Sequence, residues 1–384
     1  MVSTKGLIGL RPTPESVGRF TSPPYDVIKP GTPLERILKS EPDSIVHVIL
    51  GDHPKDSLND LHRRGIVERD DEPAFYAYQQ RSAFGTRIGV LAAAGVHPYE
   101  DGKVLRHEKT FDHKVTGRLK LREATGHSFG PVFCLTRANI SRILEEAISK
   151  DAVWAFESDF QNESELHEVE NRIVRIPEAS ELGNALIKAL EPEAFYIADG
   201  HHRYHASLRN NQTHFLAYIT EHAEIQAYNR VVRCDRPFED VRDSLRLIPT
   251  EQFRTPEKHQ FCLYTREGCF TLAAEVIPSD VVGRLDCAIL ERELYPKLGI
   301  TSEKIRDAGY FDYYPESNLE QMVRVVDRGD FDVAIALHPV GRDELFAVAD
   351  AGLTDSEIVM PQKSTYFAPK ILTGLFMYRH QVNR

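Results

Sequence analysis

A short stretch near the middle of the chain holds the residue types that anion binding and proton transfer require. It is Tyr196-Ile197-Ala198-Asp199-Gly200-His201-His202-Arg203-Tyr204-His205-Ala206. Apolar residues precede the Asp-Gly pair and helix-forming residues follow it, so the pattern predicts a strand, a tight turn and a helix. The histidine pair and Arg203 then lie at a helix start, where backbone N–H groups lack intrahelical acceptors and the helix dipole is positive. A phosphate over this turn would meet those donors and a guanidinium that can bind it through two hydrogen bonds.

The alternative role for this turn is structural. Asp199 would only cap the helix, and the histidines would pack or face solvent. An isolated Asp-Gly before a helix would favour that explanation. Packing, however, does not require two adjacent histidines, an arginine and a nearby third histidine, whereas anion binding and proton transfer use these residue types. The sequence therefore favours a phosphate-binding turn formed by Asp199, Gly200, His201, His202 and Arg203.

The same run resembles the phosphate-binding turn of the ParB/sulfiredoxin superfamily, in particular that of its free-serine kinases. Together with it, four further stretches resemble the bacterial and archaeal family called domain of unknown function 1015. They are Ser22-Pro23-Pro24-Tyr25-Asp26-Val27-Ile28, Arg106-His107-Glu108-Lys109-Thr110, Tyr228-Asn229-Arg230-Val231-Val232 and Pro361-Gln362-Lys363-Ser364-Thr365-Tyr366-Phe367-Ala368-Pro369-Lys370. The resemblance covers nearly the whole chain. It implies an α+β fold with a ParB/sulfiredoxin-like mixed α/β core containing inserted elements, followed by a smaller C-terminal α+β domain.

Three departures from the related patterns narrow the chemistry. Sulfiredoxins place a nucleophilic cysteine in the turn, where this chain has His201 or His202, so thiol chemistry on peroxiredoxin is not expected. The Gly-Glu-Arg-Arg type of turn and the basic DNA-binding region of ParB proteins are both missing from the sequence. After the Arg106 stretch, related sequences usually carry an Asp-Arg pair where this chain has Gly117-Arg118, so the acidic partner is absent there.

Asp26 follows a segment that cannot be helical, because each of Pro23 and Pro24 forces the preceding residue into extended geometry. A stiff segment that presents one carboxylate suits a metal ligand or a general base, but Asp26 could equally cap the following turn. The resemblance favours function, since the corresponding segment of serine kinases supplies a catalytic acid. Asp26 is therefore predicted to be a catalytic residue and a metal ligand.

Arg106, His107, Glu108 and Lys109 combine both signs of charge with an imidazole. Taken alone, such a run is typical of a solvated surface turn. The resemblance raises Arg106 and His107 to candidate binding residues and Glu108 to a second metal carboxylate. A predicted helix follows, and its basic side chains either face the same phosphate or are solvated; these are Lys114, Arg118, Lys120 and Arg122.

Three further cations are candidates for ligand binding. Arg230 would reach the ligand from a strand, or it would be an edge-strand arginine in solvent. Lys363 and Lys370 lie among hydroxyl and bulky residues that could close over a phosphorylated ligand. That segment could equally be a docking strand whose lysines extend to solvent.

Composition excludes several classes of protein. The net charge of -11 argues against nucleic-acid binding, which needs a basic face. The five cysteines are scattered without C-x-x-C spacing, so neither a disulfide framework nor a zinc knuckle is indicated. Neither a signal segment nor a run long enough to span a bilayer is visible, so the protein is expected to be cytoplasmic. The sequence does not indicate an oligomeric state.

The elements that must position these residues follow from apolar periodicity. We expect a buried strand over 44–50, paired strands over 73–78 and 86–96, strands over 131–135, 154–160, 168–176, 215–219 and 228–233, and helices over 33–38, 140–149 and 178–190. The sequence pattern changes near residue 238. After it we expect a mixed charged helix over 239–247, a hairpin around Glu267-Gly268, a helix over 285–298 and a strand over 331–337. This predicts a phosphate-binding domain over 1–237, with an insertion at about 60–180, and a C-terminal domain over 238–384.

Two functions fit these features. In the first, Mg²⁺ held by Asp26 and Glu108 and a nucleotide, ATP or ADP, over the turn would support phosphoryl transfer, with Asp26 and His202 as catalytic residues. The resemblance to serine kinases makes free serine, or another small hydroxy metabolite, the expected acceptor, or phosphoserine in the reverse direction. In the second, the protein would be a nucleotide-binding regulator without turnover. No G-x-x-x-x-G-K-[ST] motif is present, so a P-loop is excluded.

Overall fold

The computed structural model describes residues 2–109, 112–159, 168–235 and 238–380. Within these ranges the chain forms two compact units. The first contains the described residues up to Ala223 together with those from Pro369 onward, and the second contains Glu224–Ala368. Helices and strands are mixed in both units, so the α+β class is confirmed. The predicted domain boundary near residue 237 stays a prediction, because compactness alone does not show which segment folds independently.

The first unit contains most of the strands that carry predicted site residues. In chain order its strands before residue 224 are β1 (Thr4–Lys5), β2 (Leu10–Pro12), β3 (Val67–Arg69), β4 (Ala74–Ser82), β5 (Gly85–Gly95), β6 (Val104–Leu105), β7 (His127–Ser128), β8 (Val132–Thr136), β9 (Trp154–Asp159), β10 (Glu168–Pro177), β11 (Phe195–Asp199) and β12 (His214–Thr220). Its helices are α1 (Val17–Phe20), α2 (Pro33–Ser40), α3 (Val46–Ile49), α4 (Pro54–Arg63), α5 (Asp112–Thr125), α6 (Ser141–Ile148), α7 (Glu181–Leu190) and α8 (His201–Arg209).

Nine of these strands form one mixed sheet among the described residues, in the order β6-β11-β8-β12-β5-β4-β10-β9, with β1 on β5. The pairs β11–β6 and β12–β8 are parallel, and the other pairs are antiparallel. Helices α6 and α7 cover alternate side chains of these strands with Leu144 and Leu186. Burying a leucine in such a core stabilises the fold by about 1.5–3 kcal/mol. This core fixes β11, the strand that leads into Gly200.

The second unit has its own sheet. Its strands are β13 (Ile225–Val232), β14 (Ile248–Thr250), β15 (Gln260–Thr265), β16 (Gly268–Ala273), β17 (Phe311–Pro315), β18 (Val333–Leu337) and β19 (Thr365–Phe367), and its helices are α9 (Phe238–Arg242), α10 (Asp286–Glu293), α11 (Leu319–Asp327) and α12 (Arg342–Ala351). In the described residues the strand order is β14-β16-β15-β18-β13-β17, with β19 on β13. The hairpin predicted around Glu267-Gly268 is confirmed by β15 and β16.

The end of the described chain returns to the first unit. Thr373 bridges to Ser22, Met377 bridges to Leu10, and β20 (Tyr378–Arg379) pairs with β7. The Gly374 N–H also donates to the Phe129 carbonyl over 2.7 Å. These contacts hold Lys370 and the proline-rich segment of the first unit in place.

Most predicted elements are confirmed, but the buried strand expected over 44–50 is wrong. Residues Val46–Ile49 form the short helix α3 instead. The Ser44 hydroxyl accepts a hydrogen bond from the Val46 N–H over 3.3 Å, which favours a helical start. The apolar side chains of α3 pack around Phe20. A short apolar run suits a buried helix as well as a strand, so periodicity could not separate the two.

Several element bounds also differ from the expectations. The helices expected over 239–247 and 285–298 end earlier, at Arg242 and Glu293. None of the helices in the described ranges combines the length and the apolar character that spanning a bilayer requires.

Candidate functional site

The predicted strand, turn and helix around Gly200 are confirmed: β11 ends at Asp199, and α8 begins at His201. Gly200 joins them with φ of 97°, a left-handed conformation that glycine adopts without steric cost. The helix is anchored to the sheet by Tyr204, whose hydroxyl donates to the His97 carbonyl over 2.6 Å and accepts from the His97 N–H over 3.0 Å. The first turn of α8 is therefore held in a fixed position.

Asp199 lies between two cations. Its carboxylate is 3.3 Å from Arg203 Nη2 and 3.6 Å from Lys370 Nζ. Burial by itself raises the pKa of this carboxyl, but the charges of Lys370 and Arg203 outweigh burial and hold the pKa well below its usual range. Gly200, and not Asp199, is the N-cap residue of α8, so the purely structural capping role considered for Asp199 is wrong.

His201 and His107 form a buried imidazole pair. Their ring centroids are 4.6 Å apart and their planes meet at 87°. Burial is the main reason that the pKa of His107 falls to about 4 and that the pKa of His201 lies well below its usual value. Both rings are therefore neutral at pH 7. Within the described residues, His201 Nε2 is buried and has no hydrogen-bond partner, while His201 Nδ1 is 3.9 Å from Glu108 Oε2.

The stretch Arg106 to Lys109 is only partly a surface turn. His107 is completely buried, which contradicts the solvated alternative for this residue, whereas Lys109 is exposed. The Arg106 guanidinium lies over the ring of Tyr99, 4.8 Å from its centroid. Thr110, which belongs to the same motif, lies outside the described residues. The stretch therefore supplies Glu108 and a buried imidazole to the surroundings of His201.

His202 is the second residue of α8 and is partly exposed. Its neighbour in the helix, Arg203, has a side chain that is only 13% exposed. The Arg203 guanidinium donates to the Pro131 carbonyl, and this hydrogen bond fixes it beneath the turn. Arg203 is thus bound to the fold by this hydrogen bond, and His202 is partly accessible from solvent.

Asp26 occupies an exposed position in a turn that the Val27 N–H closes onto the Pro24 carbonyl over 3.0 Å. The segment before it is held by paired backbone hydrogen bonds between Ser22 and Thr373, at 3.1 and 2.8 Å. Burial raises the pKa of the Tyr25 hydroxyl, and the charge of Asp26 raises it further. The assignment of the Asp26 carboxylate as base and metal ligand stays a prediction.

A pocket lies beside Tyr25 and Arg203, and we call it the arginine pocket. It has an empty volume of about 430 Å³, including its open mouth, and its lining includes Arg118, Arg122, Arg203, Tyr25, Phe129 and Gly130. The Arg122 guanidinium donates to Ser207 Oγ over 3.0 Å and to the Arg203 carbonyl over 2.8 Å. Arg122 is thus buried rather than solvated, whereas Lys120 is exposed and the Lys114 side chain lies outside the described part.

The sequence analysis did not decide whether the basic residues of α5 face the phosphate or the solvent. The spacing of two of them could have indicated a shared direction. Arg118 and Arg122 are four residues apart on a helix, so they share a face. On that face they approach α8, where Arg203 is the third member. The convergence itself depends on how α5 packs against α8, which no local pattern indicates.

Arg230 and Lys363 belong to the second unit. Arg230 is completely buried in β13, between β17 and β18, so the alternative of a solvated edge-strand arginine is wrong. Its Nε donates to the Tyr295 hydroxyl over 3.1 Å. Lys363 Nζ lies 4.5 Å from the centroid of the Tyr313 ring. Their predicted roles toward the ligand of the first unit stay predictions.

The predicted metal site consists of two carboxylates, those of Asp26 and Glu108. In the described ranges, no group of three or more His, Cys, Asp or Glu side chains could hold a metal ion. Mg²⁺ is commonly held by one or two carboxylates together with substrate phosphates and water, and Asp26 and Glu108 are of that type. The magnesium site therefore stays a prediction.

The chain was compared with known proteins. A family model described as "Protein of unknown function (DUF1015)" matches residues 5–288. No curated protein matches the sequence. Similar solved structures include a free serine kinase mutant in complex with ADP, with 12% identity, a TM-score of 0.40 and coverage of 77% of this chain and 92% of that chain. A free serine kinase in complex with AMP has 12% identity, a TM-score of 0.39 and the same coverages, 77% and 92%.

A conserved hypothetical protein from Pyrococcus furiosus has 14% identity, a TM-score of 0.36 and coverage of 74% of this chain and 92% of that chain. These TM-scores are all low, so the similar structures do not assign an activity to this chain.

Proposed function

Since this chain belongs to the DUF1015 family, whose name assigns no activity, we propose from its own residues that the protein is a phosphotransferase. It moves a phosphoryl group between a nucleotide, ATP or ADP, and a small hydroxy metabolite such as free serine, or acts in reverse on phosphoserine. We place this activity in the cytoplasm and on a ParB/sulfiredoxin-like core. The first turn of α8 is the proposed phosphate site.

One observation carries the proposal. The start of α8 presents potential hydrogen-bond donors, and an anionic ligand could accept from them. His201 Nε2 is buried without a hydrogen-bond partner in the described residues. Leaving such an atom unsatisfied costs about 1–3 kcal/mol, so a ligand oxygen that pairs with it would recover that cost. Gly200 has no side chain to cap the helix, which leaves the N–H groups of the first turn directed at a ligand.

The charges around the turn support a phosphate. Arg203 and Lys370 flank Asp199 at 3.3 and 3.6 Å, so two positive charges face one carboxylate. The remaining positive charge suits the phosphates of a nucleotide. Because the His201 and His107 rings are neutral, they can act as hydrogen-bond donors or acceptors without adding charge. His202, accessible beside them, is the proposed catalytic imidazole.

The proposed reaction balances without covalent participation of the protein. The hydroxyl oxygen of the acceptor attacks the terminal phosphorus of the nucleotide, and the bond from that phosphorus to the bridging oxygen breaks. The hydroxyl proton passes to the Asp26 carboxylate and then to solvent. Mg²⁺ on Asp26 and Glu108, when bound, would neutralise phosphate charge as the bond breaks.

The experiment is a transfer assay on the purified protein. It is incubated with Mg²⁺, ATP and serine, and in reverse with ADP and phosphoserine, while ³¹P NMR follows the phosphomonoester signal. Asp26→Asn should lower the rate by about 10²–10⁴-fold, the usual contribution of a general acid or base, and His202→Ala should lower the rate as well. Matched controls are Asp343→Asn and His222→Ala, whose side chains are 91% and 72% exposed.

Three results would decide the matter. Full activity in both site variants would contradict the assignment of Asp26 and His202. Nucleotide binding without product would favour the alternative, a non-catalytic nucleotide-binding regulatory protein, and would show as a ligand-dependent rise in melting temperature. Absence of any nucleotide binding would overturn both functions.

A further inference from the structure

The arginine pocket carries an imbalance of charge. Three guanidinium groups line it, those of Arg118, Arg122 and Arg203, and no Asp or Glu side chain is among its lining residues. Asp199, 3.3 Å from Arg203 Nη2, balances one of these three charges. Burial is the main cause that lowers the pKa of Arg122 to about 9, and the neighbouring Arg118 and Arg203 lower it further. Like charges gathered in one pocket attract an anion of matching size.

Arg118 is the member of this group that has donor capacity left. Arg122 uses its two terminal nitrogens on Ser207 and on the Arg203 carbonyl. Arg118, by contrast, stacks on the ring of Tyr25, with its central carbon 3.7 Å from the ring centroid. Its Nε is buried and, within the described residues, has no hydrogen-bond partner. Stacking on Tyr25 holds the guanidinium plane ready for a ligand.

One part of the pocket wall is apolar and consists of Ile49, Leu121 and Phe129. Inorganic phosphate would not use such a wall, whereas a small organic anion would place its carbon skeleton there. Tyr25, on the arginine side, directly precedes Asp26 in the chain, so a molecule anchored on Arg118 has the proposed base close by.

We propose that the arginine pocket binds the carboxylate of the phosphoryl acceptor through Arg118, so that the acceptor is a small hydroxycarboxylic acid rather than a neutral alcohol. The identification of the bound anion as the phosphoryl acceptor rests on the proposed function. The anion site itself rests only on the pocket.

The test is a binding measurement by isothermal titration calorimetry, using glycerate and its neutral isostere glyceramide on the wild-type protein without nucleotide. Glycerate should bind at least tenfold more tightly than glyceramide, because only the carboxylate carries a negative charge and can accept two parallel hydrogen bonds from a guanidinium. This comparison needs no variant, so it holds even where a pocket variant fails to fold.

The second arm uses Arg118→Gln, with Arg63→Gln as the matched control because the Arg63 side chain is 73% exposed. Arg118→Gln should weaken glycerate binding at least tenfold and leave ATP affinity within about twofold of wild type, since ATP belongs over the α8 turn. Arg63→Gln should change neither affinity.

The outcomes separate this inference from the proposed function. Equal binding of glycerate and glyceramide, or no binding of either, overturns the pocket. An equal loss of ATP and glycerate affinity in Arg118→Gln overturns it too, and assigns the pocket to nucleotide phosphates. If the wild type binds glycerate through Arg118 but binds no nucleotide, the phosphotransferase proposal fails and the anion site stands.

Discussion

The guanidinium of Arg203 lies in the space beside Gly200 that any larger residue would need. A Cβ placed on Gly200 would be 2.7 Å from Arg203 Nε and 3.0 Å from its central carbon. On its other side the same guanidinium approaches Gly130, where a Cβ would be 3.2 Å from Nη1. Two glycines thus make room for one arginine at the start of α8, and the turn depends on both.

We therefore expect Gly200→Ala to be more harmful than its backbone alone suggests. A left-handed conformation costs alanine about 1–2 kcal/mol, and the new Cβ must also displace Arg203. Gly65→Ala is the matched control, because Gly65 has φ of 69° and no atom of the described residues lies within 4 Å of an added Cβ. Urea unfolding should show the larger loss in Gly200→Ala, and ATP affinity should fall only there. Equal losses in both variants would show that Arg203 moves freely.

Lys370→Met removes one of the two cations that hold Asp199 ionised. We expect a loss of about 1–3 kcal/mol at pH 7, measured by urea unfolding, because the half-buried carboxylate keeps only Arg203. The folded-state pKa of Asp199 is depressed, so its contribution is present above its unfolded pKa and is lost as pH falls. In the variant the folded-state pKa is less depressed, so this loss should be smaller and should be complete at a higher pH.

The control for Lys370→Met is Lys297→Met, since Lys297 pairs with a Glu275 side chain that is 46% exposed. Exposed ion pairs contribute little, so this variant should lose less stability. A greater loss in the control would contradict the importance of the Asp199 pair.

The buried imidazoles predict instability in mild acid. The pKa of His107 is lowered to about 4 by burial, against about 6.5 in the unfolded chain. Between these values the unfolded state binds the extra proton, so the free energy of unfolding falls as pH drops from 6.5 toward 4. The contribution of His107 is up to about 3 kcal/mol by this linkage.

Urea unfolding at several pH values checks this expectation. His107→Gln should flatten the dependence between pH 4 and 6.5, because it removes the group that titrates only in the unfolded chain. His222→Gln, at a side chain that is 72% exposed, should leave the slope unchanged. An unaltered slope in His107→Gln would place the acid sensitivity elsewhere.

Phe376 anchors the segment that returns to the first unit. Its ring centroid lies 4.2 Å from that of Tyr76 and 5.4 Å from that of Trp154. Phe376→Ala should cost about 3–5 kcal/mol, and it should also weaken ATP binding, because the same segment carries Lys370. Trp154 is the single tryptophan of the chain, so its fluorescence reports the unfolding. Phe376→Leu, which keeps an apolar side chain, should lose less, and parity between the two variants would argue against packing as the cause.

Local patterns were sufficient for the centre of the candidate site. The Asp-Gly pair breaks an apolar run and precedes helix formers, so the succession of strand, turn and helix could be predicted. The segment 44–50 could not, since three of the four side chains of α3 are apolar and buried, and the helix is too short for His47 to reveal a helical period. Periodicity is compatible with both a buried strand and a buried helix in this segment, and tertiary packing selected the helix.

Contacts between distant parts of the chain were beyond the reach of any local pattern. Lys370 was a candidate, but nothing near it in sequence indicates that its partner is Asp199. The depth of His107 was missed because its charged neighbours suggested a surface turn, while the sheet buries it against His201. The arginine pocket was missed because it needs α5, α8 and the Tyr25 turn to converge.

The return of the chain to its first unit also bears on synthesis. When Asp199 and Arg203 have left the ribosome, Lys370 and the residues that bridge to Ser22 and Leu10 have yet to be translated. In the nascent first unit, Asp199 therefore lacks its second cation until Lys370 has been synthesised. Pairings so far apart in sequence form slowly. A ribosome that stalls before Lys370 would release a product with the Asp-Gly-His-His-Arg motif intact and its ion-pair cluster incomplete.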